Sequence, residues 1–434
     1  VTDEWNEMIY VSILNFLNVG NLKIKNNKKF RFEDKVINSN QILKVTFKKL
    51  RNFLSQKLGR SNKLFVKDSY LSLSNFVKLS FSINQFPSYW ESPALIDKKY
   101  NPKYRDFKLN INFQEPKVES FIKLLEVLIP KNIPKIYLEG YEDLIKSTLN
   151  VKWPKNPKVI FTSVGFFFDD FFKSWIASKI DNGTKLVTGQ HGGNYGIWKW
   201  SFIEDHQYKI SDYFLTWGWD KKEKTKLVKI GLYKVLPKVK TNYLLIKEKQ
   251  KILLVLASFP RFSYHMYSSL VSQVQMERYL IDQFNFVEFI PKKLRENLYV
   301  RLHSIDYGTD IYNRWINKFD NLNIDRGKTP ISNILKSTKV YIATYCATTY
   351  IESLALNIPT IIFWDENYWE INDESKKYFE LLKKANIFFD NPVDAANHLV
   401  INWDSINDWW ESEKTQKARL GFLNKFGNYD KNSF

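Results

Sequence analysis

From residue 157 onward the chain repeats one rhythm: a short apolar run, a loop of small or polar residues, then a helical pattern. Runs at 158–162, 185–188 and 213–217 read as buried strands, with a helix over 169–180 between the first two. A second series of strands is expected at 252–257, 298–302, 340–343, 359–363 and 387–389. Helices fill its gaps at about 272–284, 331–337, 347–356, 374–385 and 393–401. Strands that alternate with helices imply a parallel sheet with right-handed crossovers. The two series are separated by Pro237 and a lysine-rich stretch to Lys251, which reads as a linker. The expected class is therefore α/β, with two Rossmann-like domains facing across a cleft. A first domain is expected over 1–245 and a second over 250–405. Residues 406–426 read as one long helix bearing Trp409 and Trp410, and 406–434 is expected to pack back on the first domain.

The first 150 residues carry a weaker pattern. Helical spacing marks 5–17 and 41–58, and 21–35 is polar and lysine-rich, as an exposed loop is. A helix over 118–127 is expected to stop at Pro130. A length of 434 residues exceeds one ordinary core, and a hydrophobic content of 44% supports a large one. Cys346 is the single cysteine, which excludes a disulfide framework or thiolate cage and fits a reducing cytoplasm. No run approaches the roughly 18 apolar residues that span a bilayer. The chain opens Val1-Thr2-Asp3-Glu4-Trp5, with neither a basic leader nor an initiator Met, so a missing N-terminal segment is expected.

The net charge is +19, from 65 basic and 46 acidic residues. A lysine-rich surface of no special function accounts for this. So does attraction to anionic lipid or to a polyanionic glycan. Nucleic acid is the least supported partner, because no RNP motif, zinc finger, helix-turn-helix or basic helix is present.

Three places carry chemistry. The first is Gly189-Gln190-His191-Gly192-Gly193-Asn194-Tyr195-Gly196, directly after an apolar strand. Glycines allow close backbone approach, and ligands of open α/β sheets bind beyond the carboxyl ends of strands. His191 is thus a candidate base, and Gln190, Gly192, Gly193, Glu204 and His206 are candidate loop or acceptor residues. A tight turn with one solvated histidine is the plain alternative. The second place is Asp169-Asp170, where a helix begins. Two carboxylates there complement the helix dipole, or one of them acts as a general base. The choice among Asp169, Asp170 and His191 stays open. The third is the expected carboxyl edge of the second sheet, where Arg261, Arg301, His303, Thr348 and Thr349 all fall. A helix start with hydroxyls suits a phosphate, two arginines suit phosphate or carboxylate, and Glu352 stands ready for sugar hydroxyls. Ion-paired arginines and an ordinary capped helix are the plain alternatives. Nothing completes a metal site around Asp365-Glu366, and Cys346 reads as a small buried residue rather than a reactive one. Trp217-Gly218-Trp219 and Trp409-Trp410 suit either sugar stacking or core packing.

Residues 343–360, with a hydroxyl-bearing turn, Glu352 and then Asn357-Ile358-Pro359-Thr360, resemble the donor half of GT-B glycosyltransferases. The ordered set is closer still. It runs through Gly189–Gly196, Ser211-Asp212, Thr216–Trp219, Arg301, Asp306-Tyr307-Gly308, Thr348–Glu352, Phe363-Trp364 and Trp409-Trp410. This set is similar to a bacterial family of surface-carbohydrate transferases found near capsule and O-antigen genes. The resemblance covers about residues 157–426. It implies an enzyme in the cytoplasm or peripheral at the inner membrane face that moves a sugar from a nucleotide to a surface polysaccharide or glycolipid. It also implies no cofactor and no metal, as is general for GT-B enzymes. A CMP-activated ulosonic acid, sialic-acid-like or Kdo-like, is the expected donor. The His-Pro pair typical of some CMP-sugar transferases is absent, so UDP-, GDP- and dTDP-sugars stay open. The rival classes are a non-catalytic glycan- or anionic-lipid-binding protein with a GT-B shell, and a UDP-sugar epimerase.

Overall fold

The computed structural model describes residues 3–19, 39–95, 97–111, 119–233, 250–261 and 267–428. The expected loop at 21–35 and most of the expected linker lie outside the described residues. Eleven strands are described: β1 Leu64–Val66, β2 Val159–Thr162, β3 Lys185–Gly189, β4 Tyr213–Thr216, β5 Leu227–Lys229, β6 Lys251–Val255, β7 Leu298–Arg301, β8 Asn323–Asp325, β9 Thr338–Ala343, β10 Thr360–Phe363 and β11 Phe388–Phe389. They form two sheets, as the βα alternation requires. The chain separates into two compact units, Val1–Ser69 with Leu73–Val187, and Tyr70–Ser72 with Thr188–Phe434.

The sheet of β6 to β11 has the order β11-β10-β9-β6-β7-β8, and every neighbouring pair is parallel. Read from its other edge, the order is third, second, first, fourth, fifth, sixth, which is the Rossmann order. Its central strands are apolar on both faces: Ile252, Leu253, Val340, Tyr341, Ile361 and Ile362 are all fully buried. Helices cover both sides of such a sheet, and the continuous apolar runs that exposed these strands in the sequence follow from that. The strand order reverses between β6 and β9, and at such a reversal open α/β sheets form a crevice at the carboxyl ends of the strands.

The other sheet runs in sequential order, β1-β2-β3-β4-β5, with β1 parallel to β2 and β4 parallel to β5. The core of the first unit is aromatic. Phe65 of β1 lies 4.6 Å from the Trp175 ring, 5.1 Å from Trp153 and 5.5 Å from Trp90, centroid to centroid. Such rings bury large areas and gain further from tilted contacts.

Two expectations are corrected, and three strands were not foreseen. The helix expected to stop at Pro130 spans Glu119–Asn132 and carries the proline in its last turn. Arg105 holds that end together by donating to the Pro130, Lys131 and Ile133 carbonyls at 2.9–3.2 Å. The long helix expected over 406–426 is two, Ile406–Glu411 and Glu413–Phe426. The break falls at Ser412, whose hydroxyl accepts from the Thr415 N–H and caps a new helix. Finally, β1, β5 and β8 have three residues each, too short to register as a period. Among the described residues no helix is long and apolar enough to cross a membrane.

Candidate functional site

In the second unit the crevice between β6 and β9 has a cross-linked floor. Thr344, just past β9, donates from Oγ1 to the Val255 carbonyl at 2.7 Å. Tyr279 reaches the same Oγ1 at 2.6 Å and accepts from the Ala257 N–H at 2.9 Å. These bonds tie both strand ends to the Gln273–Phe289 helix and fix the lip from which the Thr348–Ala355 helix starts.

The glycine loop meets that helix. The Gly193 N–H donates to Thr348 Oγ1 at 3.1 Å, across 155 residues of sequence. A Cβ on Gly193 would stand 2.5 Å from the Ala347 carbonyl oxygen, so only glycine fits here. Gly196 has φ +72°, and a Cβ there would strike the Trp219 ring at 2.4 Å. Its N–H donates to Glu204 Oε2 at 2.8 Å, while Glu204 Oε1 faces Lys224 at 3.2 Å. Glu204 is thus a buried anchor of the loop. His206 lies on the exposed side of the same Phe202–Ile210 helix. Gln190 is fully buried. Its Oε1 accepts from Trp219 Nε1 at 2.7 Å and from the Trp217 N–H at 2.9 Å, and its Nε2 donates to the Gly192 carbonyl at 2.8 Å. Gln190 therefore shapes the loop from beneath. Trp217 and Trp219 are buried core, not a stacking surface.

His191 is half-buried, with the Tyr195 hydroxyl 3.1 Å from Nδ1 and 3.3 Å from Nε2. That hydroxyl donates its one proton to Gln207 Oε1 at 3.0 Å. Gln207 is oriented in turn by its own Nε2, which donates to the Gly189 carbonyl at 2.8 Å. Burial raises the Tyr195 pKa well above its ordinary value, so the proton stays on the phenol. With that proton committed, Tyr195 can only accept from the imidazole. In a neutral ring one nitrogen then donates to Tyr195, and the other is the basic one.

Beside the crevice, at the carboxyl ends of β6, β7 and β8, lies a pocket of about 350 Å³. Ser258, His303, Asp306, Tyr312, Arg326 and Lys328 contribute to its wall. The Arg326 guanidinium lies 3.5 Å above the Tyr312 ring. Asp306 Oδ1 accepts the N–H groups of Gly308 and Thr309 at 2.9 Å and of Asp310 at 3.2 Å, which makes the turn below the pocket rigid. A Cβ on Gly308 would sit 3.9 Å from the Arg261 guanidinium, so Arg261 stands over the same turn, exposed.

Other nominated residues are engaged elsewhere. Arg301 pairs with Asp325, its register partner on β8. Thr349 Oγ1 accepts from the Tyr341 hydroxyl at 2.6 Å. Glu352 is buried within electrostatic reach of Tyr341 and Tyr345. The Trp409 and Trp410 indoles donate to the Ala385 and Asn357 main chain at 3.0 and 3.2 Å, as packing residues do. Burial pushes the Cys346 thiol up to about 12, which leaves it inert. Sequence reasoning missed Tyr312, Arg326 and Lys328. A short strand followed by Arg326-Gly327-Lys328 was the available signal, and β8 is too short to show it.

The aspartates belong to the first unit. Asp169 caps the Asp170–Ile180 helix by accepting from the Phe172 N–H at 2.9 Å. It also pairs with Lys67 at 3.0 Å and bonds the Ser92 hydroxyl. Asp170 takes Lys173 and the Tyr137 hydroxyl, each at 2.6 Å. Burial works to raise the Asp170 carboxyl, but these donors outweigh it and hold it below its ordinary value. Among the described residues no group of three or more His, Cys, Asp or Glu side chains gathers as metal ligands.

Three solved structures align with the chain. A protein from Listeria monocytogenes assigned as a UDP-N-acetylglucosamine 2-epimerase shares 10% identity over 84% of this chain and 95% of its own, at a TM-score of 0.43. MurG from Acinetobacter baumannii shares 9% identity over 86% and 91%, at 0.37. An alpha,alpha-trehalose-phosphate synthase (UDP-forming) from Burkholderia vietnamiensis shares 10% over 66% and 72%, at 0.35. Likeness this slight carries nothing about substrate or reaction. No curated protein matches the chain. A family model does: it matches residues 1–433, and the chain belongs to the LIC12162 family of transferases.

Proposed function

We propose that this transferase is a glycosyltransferase of the GT-B type. It moves a sugar from a nucleotide donor to a glycan or lipid-linked glycan acceptor at an anionic membrane face. A CMP-activated ulosonic acid is the proposed donor. One observation carries the reading above the others: a half-buried histidine in contact with Tyr195, whose proton is held by Gln207, stands on a loop pinned to a Rossmann crevice. A pocket lined by Arg326, Lys328 and His303, with Asp306 and Asp310, opens at the carboxyl edge of the same sheet.

In the proposed reaction His191 takes the proton of an acceptor hydroxyl as its oxygen attacks the anomeric carbon. The bond from that carbon to the nucleotide phosphate breaks, and its electron pair leaves with the phosphate. Arg261, Arg326, Lys328 and His303 meet the developing charge, in the place a metal holds in other transferases. The first N–H groups of the Thr348–Ala355 helix add to that field. Arg301 is proposed to act by fixing Asp325 and the β8 edge, and Glu352 to hold donor hydroxyls. His191 is preferred to Asp169 and Asp170 because a base works best with a pKa near the working pH, and Asp170 is driven the other way.

The test is nucleotide release from CMP-, UDP-, GDP- and dTDP-sugars, with and without a glycolipid acceptor. His191→Ala should slow acceptor-dependent release by about 10²–10⁴-fold, with nucleotide affinity unchanged. Release at the wild-type rate removes His191 from the reaction. Conversion of a UDP-sugar without acceptor would replace transfer by epimerisation.

A further inference from the structure

The Ser39–Leu58 helix of the first unit is inside out over its described second half. Ser55 is fully buried, and its hydroxyl accepts from the Tyr89 N–H at 2.8 Å. Leu50, Leu54 and Leu58 follow one another at four-residue spacing, with Phe53 beside them, and all four face solvent. Phe53 is 59% exposed and Leu50 54%, far more than a core-facing stripe allows. The apolar surface does not end with the helix. Leu58 and Ile83 line a groove of about 580 Å³ at the amino ends of β1 and β2, flanked by Lys63 and Lys158. Phe81, two residues before Ile83, is 62% exposed.

The charge around this surface is predominantly positive. Residues 48–66 hold six Lys and Arg, residues 73–86 hold Lys78, and residues 151–160 hold Lys152, Lys155 and Lys158, with no Asp or Glu in any of the three segments. Lys48 and Arg51 are paired with Glu91. Lys57, Arg60, Lys63 and Lys158 surround the apolar stripe and are exposed. A protein partner matched to this surface needs an apolar ridge bordered only by acids. A bilayer bearing anionic headgroups supplies that combination over any area: acyl chains accept the Leu and Phe side chains, and headgroups face the lysines. Lysine stems also cover apolar surface while their ammonium groups stay wet.

We propose that the face formed by the exposed Leu50, Phe53, Leu54 and Leu58 side of this helix and the groove beside it docks on an anionic lipid surface. The proposal supplies the place of the membrane contact named in the functional reading. Its test needs no turnover, so it can fail while the transferase reading stands, and the reverse.

The experiment is co-sedimentation of the full chain with phosphatidylcholine vesicles and with phosphatidylcholine–phosphatidylglycerol vesicles, at low and high salt. The chain should bind the anionic vesicles, bind plain phosphatidylcholine at least about tenfold more weakly, and lose most of its binding at high salt. Phe53→Asp with Leu58→Ser, both at exposed positions, should weaken binding about tenfold or more. Lys57→Glu with Lys63→Glu should do the same with the apolar stripe intact. Circular dichroism and thermal midpoint should match the wild type in both variants. Wild-type binding by either folded variant overturns the proposal. So does absence of vesicle binding, and so does retention of the chain by a sulfated polysaccharide but not by vesicles, which would make the surface a polyanion site.

Discussion

Two strand ends carry the candidate bases, and their surroundings differ in kind. At the start of the helix that follows β2, Asp169 and Asp170 are surrounded by donors: Lys67, Ser92 and a helix N–H for one, Lys173 and Tyr137 for the other. For Asp170 the donors outweigh burial, favour the ionised carboxylate and make it a poorer base. At the end of β3, His191 meets a tyrosine that has already given its proton to Gln207. That hydroxyl accepts from the imidazole and gives it no proton. Residue type and position at a strand end nominate all three alike; the hydrogen-bond partners separate them.

The largest expected effect beyond loss of His191 comes from the loop that carries it. Gly193→Ala forces a Cβ to within 2.5 Å of the Ala347 carbonyl. It should cost about 3 kcal/mol, read as a lower midpoint in chemical denaturation, and should remove transfer with it. Full stability in this variant would mean that the loop is not held on the Thr348 helix. Next, Arg326→Ala takes the guanidinium from the pocket wall, and nucleotide affinity should fall about tenfold, or about 1.4 kcal/mol. Unchanged affinity by calorimetry would take Arg326 out of the donor site. Asp170→Asn sharpens the comparison itself: transfer should stay within about threefold of wild type, under about 0.7 kcal/mol in barrier. Loss of turnover with retained fold would make Asp170 the base and reverse the contrast.

The smallest effect tests the rule that partners decide. Asp282 on the Gln273–Phe289 helix has burial and the like charge of Asp365 around it, and its carboxyl is raised to about 6. An unfolded aspartate titrates near 3.9. Between those values the folded state holds the proton and the unfolded state does not. Stability therefore falls as pH rises through about 4 to 6, and the penalty is complete above 6. Asp282→Asn should raise the melting temperature at pH 7 by about 2–4 °C, for roughly 1 kcal/mol after allowance for solvent screening. At pH 4 it should change little. An equal gain at both pH values would contradict the assignment.

Where the sequence was legible, burial on both faces made it so. The runs that became β6, β9 and β10 are continuous and apolar because helices cover both sides of the sheet. The glycine loop announced its place because Gly193 and Gly196 admit no other residue. Edge strands were not legible. Asn323–Asp325 has no period to read, and with it went Arg326, Lys328 and the pairing of Arg301 with Asp325, which is a matter of register. The bond from Gly193 to Thr348 joins two motifs that local sequence keeps 155 residues apart. The six-stranded sheet's order likewise follows from pairing between distant strands, and only the parallel class was readable in advance.

The most direct test of the central claim is a thermal-shift series with CMP, UMP, CDP, UDP, GDP and dTDP on the wild-type chain and on Arg326→Ala. A ligand that binds only the native state raises the midpoint, by about 2.7 kcal/mol of stabilisation at a hundred times its Kd. The account predicts that CMP raises the wild-type midpoint most and raises that of Arg326→Ala less. Stabilisation by a diphosphate alone would keep the nucleotide-sugar site and discard the ulosonate donor. No shift with any nucleotide would contradict the claim that this crevice holds an activated sugar.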